Sequence, residues 1–566
     1  MSNRIDGRAS ATHEVLNQPP PLTDYNLYDT DTPLVEALRR ADGSPDEAEV
    51  RAFGQLLGRT DTIDLGFQAN TYTPELRTHD RFGHRIDEVE YHPAWHALMR
   101  LAMENGLHNL PWKAPGSGAH SARSARHYML SQIEAGVCCP LTMTFASLPA
   151  LRHQEDVCAE WEPHLLETEY DPRLVPASQK RAVLIGMAMT EKQGGSDVRA
   201  NTTRAREIRS HGPAATHELT GHKWFCSAPM SDAFLTLAHT DKGLSCFLVP
   251  RVLPDGTRNP FRIQQLKNKL GNRSNASSEI EYDHTLARRV GEDGRGIRTI
   301  IEMVHHTRLD CVSGSAGLMR QALAQAAHHS AHREAFGRRL VDQPLMYNVL
   351  ADLALELEGT VALMARLAQA YDRSPEDENE RAFARIATAV GKYWVCKRAP
   401  HAIYEAMECL GGNGYVEDAV LARLYREAPV NSIWEGSSNV MCLDVLRALA
   451  REPGALPSLL GELDAAAGGN DHFDHALARL RAELADLDAV EVRGRRIVEL
   501  MAVTLQASLL VRHAPAAVAD AFCTSRLDGA AGGKGLAFGT LPPDTAFAEI
   551  IGRAMPESPA GRGISR

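Results

Sequence analysis

The stretch NSIWEGSSNVMCLDVLRALAR, Asn431 to Arg451, sets one carboxylate, Glu435, between a tryptophan and a glycine just before an apolar run of helical period. Val440, Leu443 and Leu446 recur at helical spacing and Pro429 precedes them, so a helix is expected to begin near Ser437 or Ser438 with a serine as its N-cap. Glu435 then lies just ahead of a helix N-terminus. The helix dipole and the unpaired N–H groups of a first turn favour a carboxylate there, which accounts for it on local grounds. Its neighbours point further. Trp434 and Ile433 would bury the carboxylate, Gly436 admits a second backbone or a flat ligand, and burial raises a carboxyl pKa toward the range of a general base.

Working outward, the helical period covers most of the chain and lapses once. From about Pro33 to Gln179, apolar residues recur at three and four, as in YHPAWHALMRLAMENGL and SARHYMLSQIEAGV, which predicts amphipathic helices. Between about Arg181 and Val290 come short apolar runs such as LSCFLVP and alternation as in SSEIEYDHT, which predict a small β domain. After GEDGRG three long helical runs return without supercoil heptads, suggesting a bundle. The expected plan is α+β, mainly α. It comprises an N-terminal helical domain over 1–180, a central β domain over 181–290, a helical bundle over 291–451, a further α-rich piece over 452–527, and a loosely ordered, Gly- and Pro-rich tail over 528–566.

A chain of 566 residues exceeds what one hydrophobic core organises. With 61 Lys+Arg against 72 Asp+Glu, the formal charge of −11 excludes whole-chain attraction to nucleic acid or an anionic membrane, so such a role must be local. The ten cysteines are scattered and show no Cys-x-x-Cys pair, and His328 and His332 lack a third ligand at suitable spacing, so no metal site is expected. The N-terminal stretch lacks a signal-peptide core, and no apolar run is long enough to span a bilayer; a reduced, cytoplasmic setting is expected.

Four other stretches carry candidate chemistry. MTEKQGGSD, Met189 to Asp197, offers N–H groups and hydroxyls to a planar or phosphorylated ligand, or is an ordinary turn. GHKWFCSAPMSD, Gly221 to Asp232, adds an aromatic pair and Ser227, and such rings are more often core. REAFGRRLVDQPL would gather Arg333, Phe336 and Gln343 at a helix break, or is a helix end capped by Gly337. LGGNGY, Leu410 to Tyr415, is a glycine cluster after a helix, with a C-cap and turn as its plain reading.

Taken in order, MTEKQGGSD, GHKWFCS, KLGNRSNASSEIEY, REAFGRRLVDQ, ECLGGNGY and IWEGSSN, on a helical, β, helical plan, resemble the acyl-CoA dehydrogenase family over roughly Pro33 to Arg451. NLYDTD, YHPAWHALM, CPLTMTFA and PVNSIWEGSSNVMCLDVLR, with the α-rich segment after Arg451, are similar to one branch of it, the flavoproteins of the adaptive response to DNA alkylation. The resemblance implies a C-terminal four-helix bundle, FAD between it and the β domain, and a homotetramer. Thr190 matches the threonine at the flavin ring, Ser196 lies in the matching GSD segment, and Phe225 and Ser227 match the aromatic and hydroxyl residues beside the isoalloxazine; Met189, Cys226 and Trp434 are counted with this cofactor set. Arg333, Phe336 and Gln343 match residues that reach the FAD of a neighbouring subunit, Gly411 and Gly412 match glycines that admit its adenosine diphosphate part, and Ser437 and Asn439 match polar positions that face FAD.

Glu435 matches the catalytic base. The family's second place for that base, immediately before the first bundle arginine, is Thr307 here, which cannot accept a proton at neutral pH; the arginine, Arg308, is the candidate substrate contact. The implied reaction is oxidation of an acyl-CoA, with Glu435 taking the proton α to the carbonyl and flavin N5 the β hydride. Two positions depart from the family pattern: Glu408 stands where glutamine is common, which bears on the FAD contact, and His305 replaces a polar residue, which bears on the acyl-CoA contact. The branch also implies double-stranded DNA as a partner, bound through the C-terminal region, with at most minor dehydrogenase activity. Residues 451–566 carry 12 Lys+Arg against 15 Asp+Glu and are not basic overall. Arg493, Arg495 and Arg496, with Arg447 and Arg451, would form a phosphate-binding strip if the fold aligned them, and a solvated helix face has the same pattern.

Overall fold

The computed structural model describes residues 12–42, 46–116, 118–209, 216–486, 488–527 and 537–556. Helices α1 (Thr32–Arg39), α2 (Glu47–Leu57) and α3 (Thr60–Thr71) lead into a hairpin of β1 (Glu75–His79) and β2 (Arg85–Glu90). Then come α4 (Pro93–Glu104), α5 (Leu110–Lys113), α6 (Ala119–Ile133), α7 (Cys138–Leu151) and α8 (Glu155–Leu165). The middle of the chain is β3 (Ile185–Ala188), β4 (Arg204–Arg209), β5 (Thr216–Ser227), β6 (Ala233–Thr240), β7 (Gly243–Pro250), β8 (Phe261–Leu266) and β9 (Ser277–Val290). Their order is β3-β6-β4-β5-β9-β7, with β8 on β9, and a further β6–β7 pairing folds the sheet back on itself. β6 and β7 are buried along nearly their whole length, which is why their sequences read as continuous apolar runs.

Next come α9 (Gly296–His332), the short hairpin β10 (Glu334–Ala335) and β11 (Arg338–Arg339), α10 (Pro344–Arg373), α11 (Glu378–Cys409), α12 (Gly412–Tyr415), α13 (Val420–Asn431) and α14 (Ser438–Arg451). α9 is the axis of the molecule. Its middle, Leu309 to Ala324, is buried on every side, and small residues let neighbours close in: a Cβ on Gly317 would stand 2.3 Å from the Tyr128 carbonyl oxygen of α6. A bidentate pair locks the same seam, Arg123 Nη1 and Nη2 to Asp310 Oδ1 and Oδ2 at 2.6 and 2.7 Å, with Thr142 Oγ1 donating to Asp310 at 2.6 Å. The N-terminal helices and the bundle therefore share one core.

The chain closes with α15 (Ala455–Asp464), α16 (Asp471–Ala485), α17 (Val490–His513), α18 (Ala516–Arg526) and α19 (Phe547–Ala554). α17 packs on α10, α11 and α14. Expectation and structure part in the last stretch. Residues 537–556 are not loosely ordered: Phe538 and Leu541 are buried, and α19 puts Ile550, Ile551 and Ala554 into the shared core. Arg553 on α19 pairs with Glu36 of α1 at 2.7 Å and Glu358 of α10 at 2.6 Å, and the Ala554 carbonyl accepts from Arg320 at 2.6 Å. The Gly and Pro content that suggested a tail belongs to the connection into this helix; residues 528–536 and 557–566 lie outside the described residues. No helix among the described residues is long and apolar enough to cross a membrane.

Candidate active site

The site is built on the connection between α13 and α14. α13 runs past Pro429 to Asn431, and the chain turns back through Ile433 and Trp434, whose N–H groups both reach the Val430 carbonyl. Glu435 then takes φ 57° and Gly436 φ 106° before α14 starts with Ser437 as N-cap. The serine N-cap stands where the spacing predicts, although its side chain makes no capping bond. A left-handed glutamate is costly, on the order of 1–3 kcal/mol, and persists only where its surroundings impose it. Here they do. Lys392 Nζ of α11 donates to the Trp434 carbonyl at 2.8 Å and to the Gly436 carbonyl, and Arg308 Nε of α9 donates to the Glu435 carbonyl at 3.0 Å. Three successive carbonyls are each held by a buried cation.

Arg308 corrects an expectation. It is only 6 % exposed, and besides the Glu435 carbonyl it binds Asp444 Oδ2 at 2.7 Å, while Arg385 binds Asp444 Oδ1 at 3.0 Å. It braces the turn and does not present itself to a substrate. Gly436 is required twice over, by its φ and because a Cβ would stand 2.4 Å from Met441 Cε.

The Glu435 carboxyl is held above the ordinary glutamate range. Burial drives this, opposed by a hydrogen bond from Thr307 and by the charges of Arg308 and Lys392. Thr307 Oγ1 lies 2.6 Å from Glu435 Oε2 and 3.0 Å from the Val304 carbonyl; with one proton to give, the shorter bond to a charged oxygen prevails. Two steps earlier, His305 stays uncharged: burial, with Arg385 and Arg308 beside it, lowers it to about 3.

The β domain faces this turn. Met189 and Trp434 lean on one apolar cluster that includes Cys139, Met143, Ala228 and Met303. Cys139 of α7 links the parts: burial pushes its thiol up to about 11, Lys269 opposes, and the Glu435 charge adds to the rise. The MTEKQGGSD segment is pinned from beneath. Glu191 pairs with Lys223 Nζ at 2.8 Å, both fully buried, and accepts Thr203 Oγ1 at 2.6 Å; burial raises the Glu191 pKa but Lys223 overcomes it, leaving about 2. Above that anchor the Thr190 carbonyl accepts the Trp224 N–H at 2.7 Å, and Ser196 is exposed. Phe225 is 49 % exposed, and Ser227 Oγ stands 3.1 Å from Ser277 Oγ. Cys226, counted with the cofactor set, is corrected: its side chain points the other way, into the β-domain core with Phe234, Ile280 and Tyr282.

Other expected residues stand apart. Arg333 lies 25 residues beyond Arg308 along α9, about 37 Å at helical rise. It binds the Asn17 carbonyl at 2.6 Å, Phe336 is 98 % exposed with φ 52°, and Gln343 donates to the Ala335 carbonyl at 2.9 Å. Gly411 and Gly412 at the far end of α11 border open space, since a Cβ on either meets nothing within 4 Å. Asn439, on the first turn of α14, accepts Arg495 Nε of α17 at 2.8 Å. Of the arginine strip, Arg493 and Arg496 are both paired with Glu483 of α16, Arg447 pairs with Asp444 at 3.5 Å, and Arg447, Arg451, Arg495 and Arg496 are exposed on the packed pair α14 and α17. Among the described residues, no group of three or more His, Cys, Asp or Glu could hold a metal ion. Sequence alone does not single out Lys392, Arg385 or Asp444; a lone lysine on the apolar face of ATAVGKYWVC is the one signal of the first.

A helical domain, a folded-back β domain and a bundle that meet at a left-handed glutamate define the architecture of the acyl-CoA dehydrogenases. Family models agree: the adaptive response protein AidB N-terminal domain matches residues 17–172, the acyl-CoA dehydrogenase middle domain 186–285 and its C-terminal domain 294–450. The chain is 47% identical to AidB of Escherichia coli (strain K12) over 520 residues, 91% of this chain and 95% of that protein. It is 30% identical to acyl-CoA dehydrogenase family member 11 of Caenorhabditis elegans over 85% of this chain and 78% of that one. The crystal structure of Caenorhabditis elegans ACDH-11 in complex with C11-CoA superposes with a TM-score of 0.83 at 27% identity, covering 93% of this chain and 95% of that chain. The chain therefore belongs to the acyl-CoA dehydrogenase family, in its AidB branch. FAD is the cofactor of this oxidoreductase family.

Proposed function

We propose that the protein oxidises an acyl-CoA thioester with Glu435 as the base. The carrying observation is the Glu435 carboxyl itself, on a backbone held by Lys392 and Arg308 and raised above the ordinary range by burial. A raised carboxyl is a stronger base, and one fixed in place loses little entropy when substrate arrives. Thr307 keeps a hydrogen bond on the ionised form, which opposes the rise that burial causes. Trp434 and the apolar cluster it joins keep water from the carboxylate. FAD, when bound, supplies the hydride acceptor.

The residues present fit that group. Phe225 offers a half-exposed ring beside Ser227, and Gly411 and Gly412 leave room for a ligand. Thr190, Ser196, Ser437 and Asn439 would face it from the same chain. Arg333, Phe336, Gln343, Gly411 and Gly412 are too far along α9 and α11 to join them, so they would serve a neighbouring copy, in keeping with a homotetramer. The bare Phe336 ring, 98 % exposed, supports burial by such a copy. The relative solved with C11-CoA supports an acyl-CoA as substrate. Anaerobic titration of the purified protein with a panel of acyl-CoA thioesters tests the reading: one of them bleaches the visible flavin band, and Glu435→Gln slows bleaching by about 10²–10⁴-fold. A flavin that no thioester bleaches overturns it.

A second reading, double-stranded DNA binding in the adaptive response to alkylation with little dehydrogenase activity, is favoured by Arg447, Arg451 and Arg495, exposed on adjacent helices. A salt series on DNA binding by the full chain, wild type against Arg495→Ala and Arg447→Ala, decides it, because removing one phosphate-binding cation flattens the salt slope by about 1.

A further inference from the structure

One cation near the site has no part in holding the turn. Lys269, in the connection from β8 to β9, is partly buried, and its Nζ donates to the Asn275 carbonyl at 2.5 Å and to Ser277 Oγ at 3.0 Å. It makes no ion pair among the described residues. Three titratable groups face it: the Cys139 thiol of α7, Glu427 of α13 and Glu134 at the end of α6. Both carboxylates are engaged elsewhere, Glu427 by the Asn272 N–H at 2.9 Å and Glu134 by Ser274, Asn70 and the Val137 N–H. A lysine this enclosed, without a carboxylate partner, needs another reason to be there.

The direction of its hydrogen bonds supplies one. An ammonium only donates, so the Ser277 oxygen accepts from Lys269, which leaves the Ser277 proton free to turn to Ser227 Oγ, 3.1 Å away. The Ser227 proton is then left to point onward. Among the described residues the one side-chain hydrogen-bond partner of that hydroxyl is Ser277. Any oxygen or ring nitrogen brought beside Phe225 and Ser227 would accept the proton.

We propose that Lys269 is a positioning residue which, through Ser277, fixes the Ser227 hydroxyl as a donor toward the ring edge of the bound flavin and places a positive charge behind that donor. The proposal rests on the reading of the protein as an FAD enzyme. A donor backed by positive charge favours the electron-rich, reduced ring, so the line Lys269–Ser277–Ser227 raises the reduction potential of the flavin. Burial brings the Lys269 ammonium down to about 8, opposed by Cys139, Glu427 and Glu134. The charge is present at neutral pH and is lost above that value.

The test is the midpoint potential of the protein-bound flavin, followed spectroelectrochemically from pH 6 to 9.5. Wild type is expected to show a potential that falls more steeply with pH above about 8. Lys269→Met should lie at a more negative potential below about pH 8, approach wild type above it, and lose that break. Ser277→Ala keeps the lysine but cuts the line, and should shift the potential in the same direction; it decides the matter alone if Lys269→Met does not fold. Potentials and pH courses equal to wild type in the variants that retain FAD overturn the proposal and leave the enzyme reading standing. Wild type that takes up no FAD overturns both.

Discussion

Thr307 Oγ1 donates a 2.6 Å hydrogen bond to Glu435 Oε2. The bond stabilises the ionised carboxylate against the burial that raises its pKa. Because the base must be ionised to act, kcat/KM for a thioester should rise with pH through a limb above the ordinary glutamate range. In Thr307→Val that limb moves to still higher pH while the plateau is kept, as a pH–rate profile of the two proteins would show. A limb that stays in place would mean that Thr307 bonds only the Val304 carbonyl.

Lys392 should matter beyond its distance from any reacting atom. Replacing it by methionine leaves the Trp434 and Gly436 carbonyls without their donor. A loss of about 1–3 kcal/mol in denaturant unfolding is expected. Turnover should fall with it, by up to about 10²-fold, because the left-handed turn that aims Glu435 relaxes. Full activity in a folded variant would show that Arg308 alone holds the turn.

The Arg123–Asp310 pair predicts acid behaviour. Burial raises the Asp310 pKa, but Arg123 and then His127 overcome it, and the folded value falls to about 2, below the roughly 3.9 of an unfolded aspartate. Its contribution is therefore present above about pH 4 and is lost as pH falls toward 2. Asp310→Asn should cost about 3–5 kcal/mol at pH 7 by stranding a buried guanidinium. It should also flatten the acid limb of a thermal-melt series.

Glu427 has the opposite sign. Burial, then the nearby Glu134, raise it to about 7, so the folded protein prefers it protonated and loses stability as pH rises from about 4.3, the unfolded value, to 7. Glu427→Gln keeps an acceptor for the Asn272 N–H. It is expected to be near-neutral at pH 5 and to gain on the order of 1–3 kcal/mol at pH 8. A loss at pH 8 would show the ionised carboxylate to be the better partner for Arg423.

Much of the fold and of the site is legible because spacing carries it. Val440, Leu443 and Leu446 announce α14, and the Trp-Glu-Gly before them marks a break that only a special backbone accommodates. The family plan follows from motifs that each read weakly alone. What spacing does not carry is which face a side chain takes. Cys226 sits between two site residues and points away from them, because a strand alternates. Nor does it carry pairing across the chain: Arg308 meets Asp444, and Glu483 meets Arg493 and Arg496, through tertiary packing invisible to local pattern. The segment 537–556 reads as a tail because Gly539 and its prolines lie outside the helix, whereas the buried face of α19 spans only two turns.

That last helix has a consequence for how the molecule is made. Arg553 is bonded to Glu36 of α1, and the Ala554 carbonyl to Arg320 of α9, so these contacts form only after α19 has left the ribosome. Contacts of such long sequence separation make folding slow. The apolar face of α1, which packs mainly on α10, stays uncovered until α10 has emerged, and it is during this interval, rather than in the finished protein, that the chain is most exposed to aggregation.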